Sequence, residues 1–420
     1  MSPGARAVLG ERLMFCLPAG EQMLGYPVPG AEDASTPGLR RYNVVWYRPA
    51  EEASALPRLL TGRDGRHYDL SIPPRQVGAT VDGSVGVEVV GRIVLDRDGA
   101  PLGEHALPQI MLSWDRLYGL LRAAFPQARY HAGQAIEGFD QDAAGVTVHL
   151  ASGKRERADW LIGADGIRSS VRRRLLPELE PAYAGYIAWR GLIEEAAMSP
   201  GARAVLGERL MFCLPAGEQM LGYPVPGAED ASTPGLRRYN VVWYRPAEEA
   251  SALPRLLTGR DGRRYDLSIP PRQVAADAVR QLHADADALL APCCAEVVRL
   301  SREPFIQAIY DLESPRLVFG RVILLGDAAF VARPHAGMGV TKAALDALTL
   351  AAALAAPDAA ALAEWERERL RYGRAVVERA RWLGGYLSEP APAAETWSAA
   401  LPGLAATLMT ETAISGWLSA

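Results

Sequence analysis

Residues 322–341 read VILLGDAAFVARPHAGMGVT, and this stretch decides the fold class. Four apolar residues, too few for a helix, stop at Gly326 and Asp327. Small residues then run through Pro334, Gly337 and Gly339 into an Ala-rich segment with helical spacing. The pattern is a buried strand that turns into a helix. Glycines in such a turn let the backbone approach a ligand, and the first N–H groups of the helix face that ligand with the positive end of the dipole. Asp327 is then placed to accept hydrogen bonds from sugar-like hydroxyls; the competing reading is a tight turn with Asp327 as a helix cap.

Working outward, residues 159–169 read DWLIGADGIRS and repeat the design, with a short apolar run closed by Gly163, Asp165 and Gly166. Runs at 160–164 and 322–325 are predicted as parallel strands buried on both faces and feeding helices. Residues 114–124 and 364–387 have helical spacing, the latter with apolar Trp365, Leu370, Val376 and Val377, and Pro390 and Pro392 open a C-terminal tail with no site signal. Between the two motifs, aromatic and β-branched runs at 182–192, 209–214, 219–225 and 239–244 alternate with Pro/Gly clusters. They predict a mostly antiparallel sheet with one face free to cover a ligand.

The first half of the chain contains a repeat of an unusual kind. Residues 1–77 recur as 198–274 with one difference, His67 against Arg264. Solenoid repeats recur several times and diverge, whereas this one occurs twice and almost unchanged. An in-frame duplication and a chimeric reading frame both account for it. The second copy continues smoothly from its flanking sequence, so it is read as the native one and expected in the sheet. The first is expected to pack poorly or to lie against the exposed side of the nucleotide-binding part.

Net charge −4, from 45 Lys and Arg against 49 Asp and Glu, offers no general attraction to nucleic acid or to an anionic membrane. The four cysteines, Cys16, Cys213, Cys293 and Cys294, make neither a disulfide framework nor a metal-binding spacing. No leader-like segment opens the sequence, and the Ala-rich run at 345–356 is too short to span a bilayer. A cytoplasmic, metal-free protein with a small-molecule ligand is expected, and a homodimer is compatible with this reading.

The two Gly/Asp turns, in this order and with a β-rich segment between them, resemble the flavin-dependent hydroxylases of the para-hydroxybenzoate hydroxylase type. The wording of residues 183–190 (YAGYIAWR), 309–314 (IYDLES) and 326–341 is most similar to the 2,6-dihydroxypyridine 3-hydroxylase branch. The resemblance covers about residues 78–388. It implies an α/β fold in which residues 78–180 and 304–388 form the FAD-binding part, 181–303 a substrate part and 389–420 the tail. It further implies that NADH or NADPH reduces FAD and that oxygen is used to hydroxylate a small electron-rich ring. Asp165 and Gly166 are implied near the pyrophosphate and the nicotinamide approach, and Asp327 at the ribityl chain. Pro334, Gly337, Met338, Gly339, Val340 and Thr341 belong to the segment implied to support the isoalloxazine. His335 is a candidate general base beside the flavin, with a structural role as its alternative. Tyr186, Trp189 and Tyr310 are candidate substrate contacts, with core packing as theirs.

The departures weigh heavily. Trp114 stands where the family often has Arg, with Arg116 nearby, and Phe330 replaces a frequent His, a change expected to alter packing. Above all, the family opens with a strand, a G-x-G-x-x-G turn and a helix that hold the ADP half of the cofactor. The sequence contains no G-x-G-x-x-G anywhere. Activity is therefore expected to be impaired. Two alternatives remain: a non-catalytic remnant that binds an aromatic ligand or a partner, and a mis-assembled version of an intact hydroxylase gene.

Overall fold

The computed structural model describes residues 86–355, 359–388 and 391–414, together with three strands nearer the start of the chain. The described residues fall into two compact units that divide after Val81. In the first unit, Met14–Cys16, Gln22–Val28 and Arg41–Tyr47 form an antiparallel meander, with Met14 opposite Gly25 and Leu24 opposite Val45. The expectation about where the first copy packs lies outside the described residues.

In the second unit, a nine-stranded sheet runs in the order Ser268–Ile269, Phe305–Glu313, Ala182–Glu194, Arg238–Pro246, Gln219–Val225, Arg209–Cys213, Gly91–Leu95 and Pro101–His105. The short strand Phe330–Val331 adds to Phe305–Glu313. The sheet is antiparallel except where Arg209–Cys213 meets Gly91–Leu95. Its middle is built from the second copy, in the register the first copy shows, with Met211 opposite Gly222 and Leu221 opposite Val242. The sheet crosses the boundaries expected at 180 and 303, because strands from both flanking stretches satisfy its edges.

Side chains alternate between two buried faces. Ile187, Trp189, Tyr239, Val241 and Trp243 point to a core completed by the helices Ala276–Leu289 and Pro292–Leu300. Ala184, Tyr186, Ala188, Val242 and Tyr244 point to the opposite face. The expected open face is corrected here, since Ala405, Leu408 and Met409 pack on it. They belong to the helix Ala394–Glu411, which lies within the C-terminal tail. Trp397, Leu401, Leu404 and Leu408 recur at helical spacing and signal that helix in the sequence.

A second layer holds the two motifs. Leu161–Gly163 lies parallel to Val322–Leu324, with Gly163 opposite Leu324. The pair is buried with Phe139, Val146, Leu350, Trp365 and Val377, beneath the helices Gly339–Ala355 and Ala359–Gly384. Among the described residues, no helix is long and apolar enough to cross a membrane.

Candidate functional site

Two parallel strands that end side by side must release their following turns at one edge of the sheet, and the amide of Leu325 donates to the carbonyl of Gly163 at 3.1 Å. The Asp165 and Asp327 turns are therefore neighbours. Arg172, itself fully buried, joins them: its guanidinium donates to the carbonyl of Ile167 on one turn (2.6 Å) and of Ala328 on the other (3.1 Å). Removing this side chain would leave two carbonyls without their donor, a loss of about 1–3 kcal/mol each where they are buried.

Asp165 turns back to its own chain. Its Oδ2 accepts from the backbone N–H of Ser170 (2.7 Å) and of Val171 (3.3 Å) and from the Ser170 hydroxyl, closing the start of the helix Ser170–Leu175. Gly166 has φ +74°, and the space where its Cβ would stand is open. Asp327 differs: its side chain faces solvent at the sheet edge and takes no hydrogen bond among the described residues. The surrounding protein, and less strongly Asp346, raise its carboxyl above the ordinary range against the pull of Lys342.

The conformation of this second turn is held from beneath. Gly326 has φ +60°; Lys342 Nζ donates to its carbonyl at 2.8 Å, and its N–H donates to Asp346 Oδ2 at 3.1 Å. Lys342 and Asp346 form a buried i, i+4 pair on the helix Gly339–Ala355. The sequence reading omitted Arg172, Lys342 and Asp346. A lysine and an aspartate four apart in an otherwise apolar helix was the signal available.

The remaining candidates divide by burial. Pro334, Gly337, Gly339, Val340 and Thr341 are exposed at or before the start of that helix, whereas Met338 is buried. The space above Gly339 is open, but a Cβ on Gly337 (φ +65°) would meet Ala413 at 2.5 Å, so the C-terminal segment explains that glycine. The turn is anchored by Arg333, which donates to Asp311 (2.9–3.2 Å) and to the Ser388 hydroxyl (3.0 Å).

His335 lies inside the turn at 1% exposure, its Nε2 2.8 Å from the Tyr186 hydroxyl and its ring 4.6 Å from that of Tyr244. Burial, helped by Arg333, lowers its pKa to about 3, and burial pushes the Tyr186 hydroxyl well above the usual tyrosine range. Nδ1 of His335 has no partner among the described residues. Gly384 presses on this pair, since a Cβ there would stand 2.8 Å from the Tyr186 oxygen. Of the three aromatic candidates only Tyr186 reaches the turn. Trp189 packs into the opposite face of the sheet, and the Tyr310 ring lies tilted against that of Tyr183 on that same side. Phe330 is core, seated against Gly373.

Exposed Asp327, the open spaces at Gly166 and Gly339, and a helix N-terminus together suit the polyol and ring end of a dinucleotide cofactor. No G-x-G-x-x-G turn is present in the sequence for its pyrophosphate end.

A family model described as FAD binding domain-like matches residues 1–85 and 183–311, and one described as FAD binding domain matches residues 311–380. The 2,6-dihydroxypyridine 3-monooxygenase of Paenarthrobacter nicotinovorans is 34% identical over 277 residues, covering 66% of this chain and 68% of that enzyme. The chain belongs to the FAD-dependent aromatic hydroxylases. Within this hydroxylase family, the solved 2,6-dihydroxypyridine-3-hydroxylase from Arthrobacter nicotinovorans superposes with a TM-score of 0.70 at 30% identity, over 76% of this chain and 81% of that one. A Klebsiella pneumoniae protein solved with FAD and uric acid shares the fold at TM-score 0.60 and 23% identity, over 81% of each chain. The match at 1–85 takes in the copied segment, whose sequence has no G-x-G-x-x-G turn.

Proposed function

We propose that the chain is an NAD(P)H-consuming FAD hydroxylase for a small aromatic or hydroxypyridine-like ring, in which only the isoalloxazine half of the cofactor cradle is retained. The observation that carries this reading is the pair of strand ends tied by Arg172, with Asp327 exposed and open glycines on either side. FAD, where bound, supplies the redox and oxygen-activating chemistry. The protein's part is to hold and orient: Asp327 at the ribityl hydroxyls, Gly166 on the pyrophosphate side, and the segment 337–341 under the ring. His335 is too weakly basic for efficient proton transfer at neutral pH, so it serves to orient the Tyr186 hydroxyl instead. Tyr186, buried beside Tyr244, is the aromatic candidate that remains at this end of the cradle.

Absence of three or four charge-assisted bonds to the pyrophosphate and ribose weakens FAD binding by about 5–10 kcal/mol, roughly a thousandfold to ten-millionfold. Titrating the purified chain with FAD and following its fluorescence quenching tests this. Weak, saturable quenching that is lost in Asp327→Ala is expected. A yellow protein that retains stoichiometric FAD through purification would refute the half-cradle. No quenching at any concentration would favour a non-catalytic remnant.

A further inference from the structure

We propose that the first copy acts as a replacement part for the second: residues 12–49 of one molecule seat in the sheet of another molecule, between its strands Gly91–Leu95 and Ala182–Glu194, so that the chain self-associates by strand exchange. Residues 12–49 are identical to 209–246. The single difference between the copies, His67 for Arg264, lies outside these strands, and Arg264 is exposed. The same sequence also forms the same ladder in both settings, Met14 opposite Gly25 as Met211 is opposite Gly222, and Leu24 opposite Val45 as Leu221 is opposite Val242.

The seat defines what it accepts. One edge of the second copy pairs in parallel from Arg209 with Gly91 to Cys213 with Leu95, and the other pairs antiparallel from Tyr186 with Pro246 to Glu194 with Arg238. One face of the meander is buried through Met211, Cys213, Tyr239 and Trp243, and the other through Phe212, Val242 and Tyr244. A slip of one residue would exchange these faces, so the seat is selective for register. The first copy carries Met14, Cys16, Tyr42 and Trp46 at the corresponding positions and meets every requirement by sequence.

Each molecule thus has one seat and two segments that fit it. An incoming first copy would form in the seat the same interactions that the displaced second copy gives up, so tether entropy and chain concentration set the balance. Strand edges able to pair with another chain make such exchange accessible.

In the seat, Cys213 and Cys294 are buried in one core, where the Cys294 thiol donates to Met211 Sδ at 3.4 Å. A seated first copy brings Cys16 to that place. The test uses the full chain carrying Cys213→Ser and Cys293→Ser, which leaves Cys16 and Cys294. It is refolded over a range of concentrations and treated with diamide, which takes up the two electrons and two protons released as the Sγ–Sγ bond forms. The expected result is a Cys16–Cys294 disulfide between two chains, in a fraction that rises with concentration. Adding Trp46→Asp puts a carboxylate where the seat buries Trp243 and should cut this product about tenfold or more. A bond confined to single chains would overturn exchange between molecules. So would its absence while the Cys16→Ser, Cys293→Ser chain links Cys213 to Cys294, or dimers that persist with Trp46→Asp. Sedimentation of the chain with its cysteines intact, with and without Trp46→Asp, supplies the same comparison should the serine variants fold poorly. A concentration-dependent dimer lost on substitution supports exchange, and identical profiles refute it.

Discussion

His335 carries a sharp consequence of burial at the residue scale. Its pKa, 6.5 for the free side chain, is about 3 in the folded chain. Between these values the unfolded chain binds a proton that the folded chain excludes, so stability is retained above pH 6.5 and falls as pH drops toward 3. The slope from this one group reaches about 1.4 kcal/mol per pH unit. His335→Asn, which keeps a polar group near Tyr186 without titrating there, should flatten the acid limb of stability. Urea midpoints of both chains between pH 7 and 4.5 check it, and parallel curves would show that His335 does not titrate as described. The residue's membership of the motif was legible in the sequence, but its burial was not. A histidine between Pro334 and Gly337 reads equally as a base or as a structural residue until Arg333, Asp311 and Gly384 are seen around the turn. Asp165 and Asp327 look alike in the sequence for a similar reason: each follows a strand and a glycine, and only their neighbours make one a helix cap and the other an open carboxylate.

At the scale of elements, the strands and helices around the two motifs were legible because continuous apolar runs and helical periodicity report local burial directly. The helix Ala394–Glu411 was not read. Pro390, Pro392 and Pro402 masked a periodic apolar face, and its worth depends on a sheet surface that comes from distant sequence. Its end is tied down as well, since Arg92 donates to the carbonyls of Leu408 and Met409 and the amide of Ala413 donates to that of His335. A chain ending at Glu389 would expose Val94, Leu210, Phe212 and Leu221, which line the face this helix covers. Stronger binding of a hydrophobic dye and a lower melting temperature are expected, with a loss of several kcal/mol if only two or three of these side chains lose their cover. An unchanged melt with no added dye binding would mean that the helix is ornamental.

On the scale of the whole molecule, the duplicated segment separates folding from assembly. The first unit keeps the meander of its parent but is a compact unit distinct from the one that contains the site strands. A chain starting at Asp82 should therefore retain the cooperative unfolding of the second unit, with a midpoint within a few degrees of the full chain. Calorimetry of both proteins measures this, and a collapse of the second transition would make the first unit integral to the core. Sequence by itself determined the repeat, the missing glycine-rich turn, the family resemblance and the approximate strand and helix positions, because each is written in residue identity or in spacing over a few neighbours. Tertiary structure alone decided that both sheet faces are buried and that Arg172 joins two turns more than 150 positions apart. These depend on which distant surfaces exclude water from one another, a property that no local pattern contains.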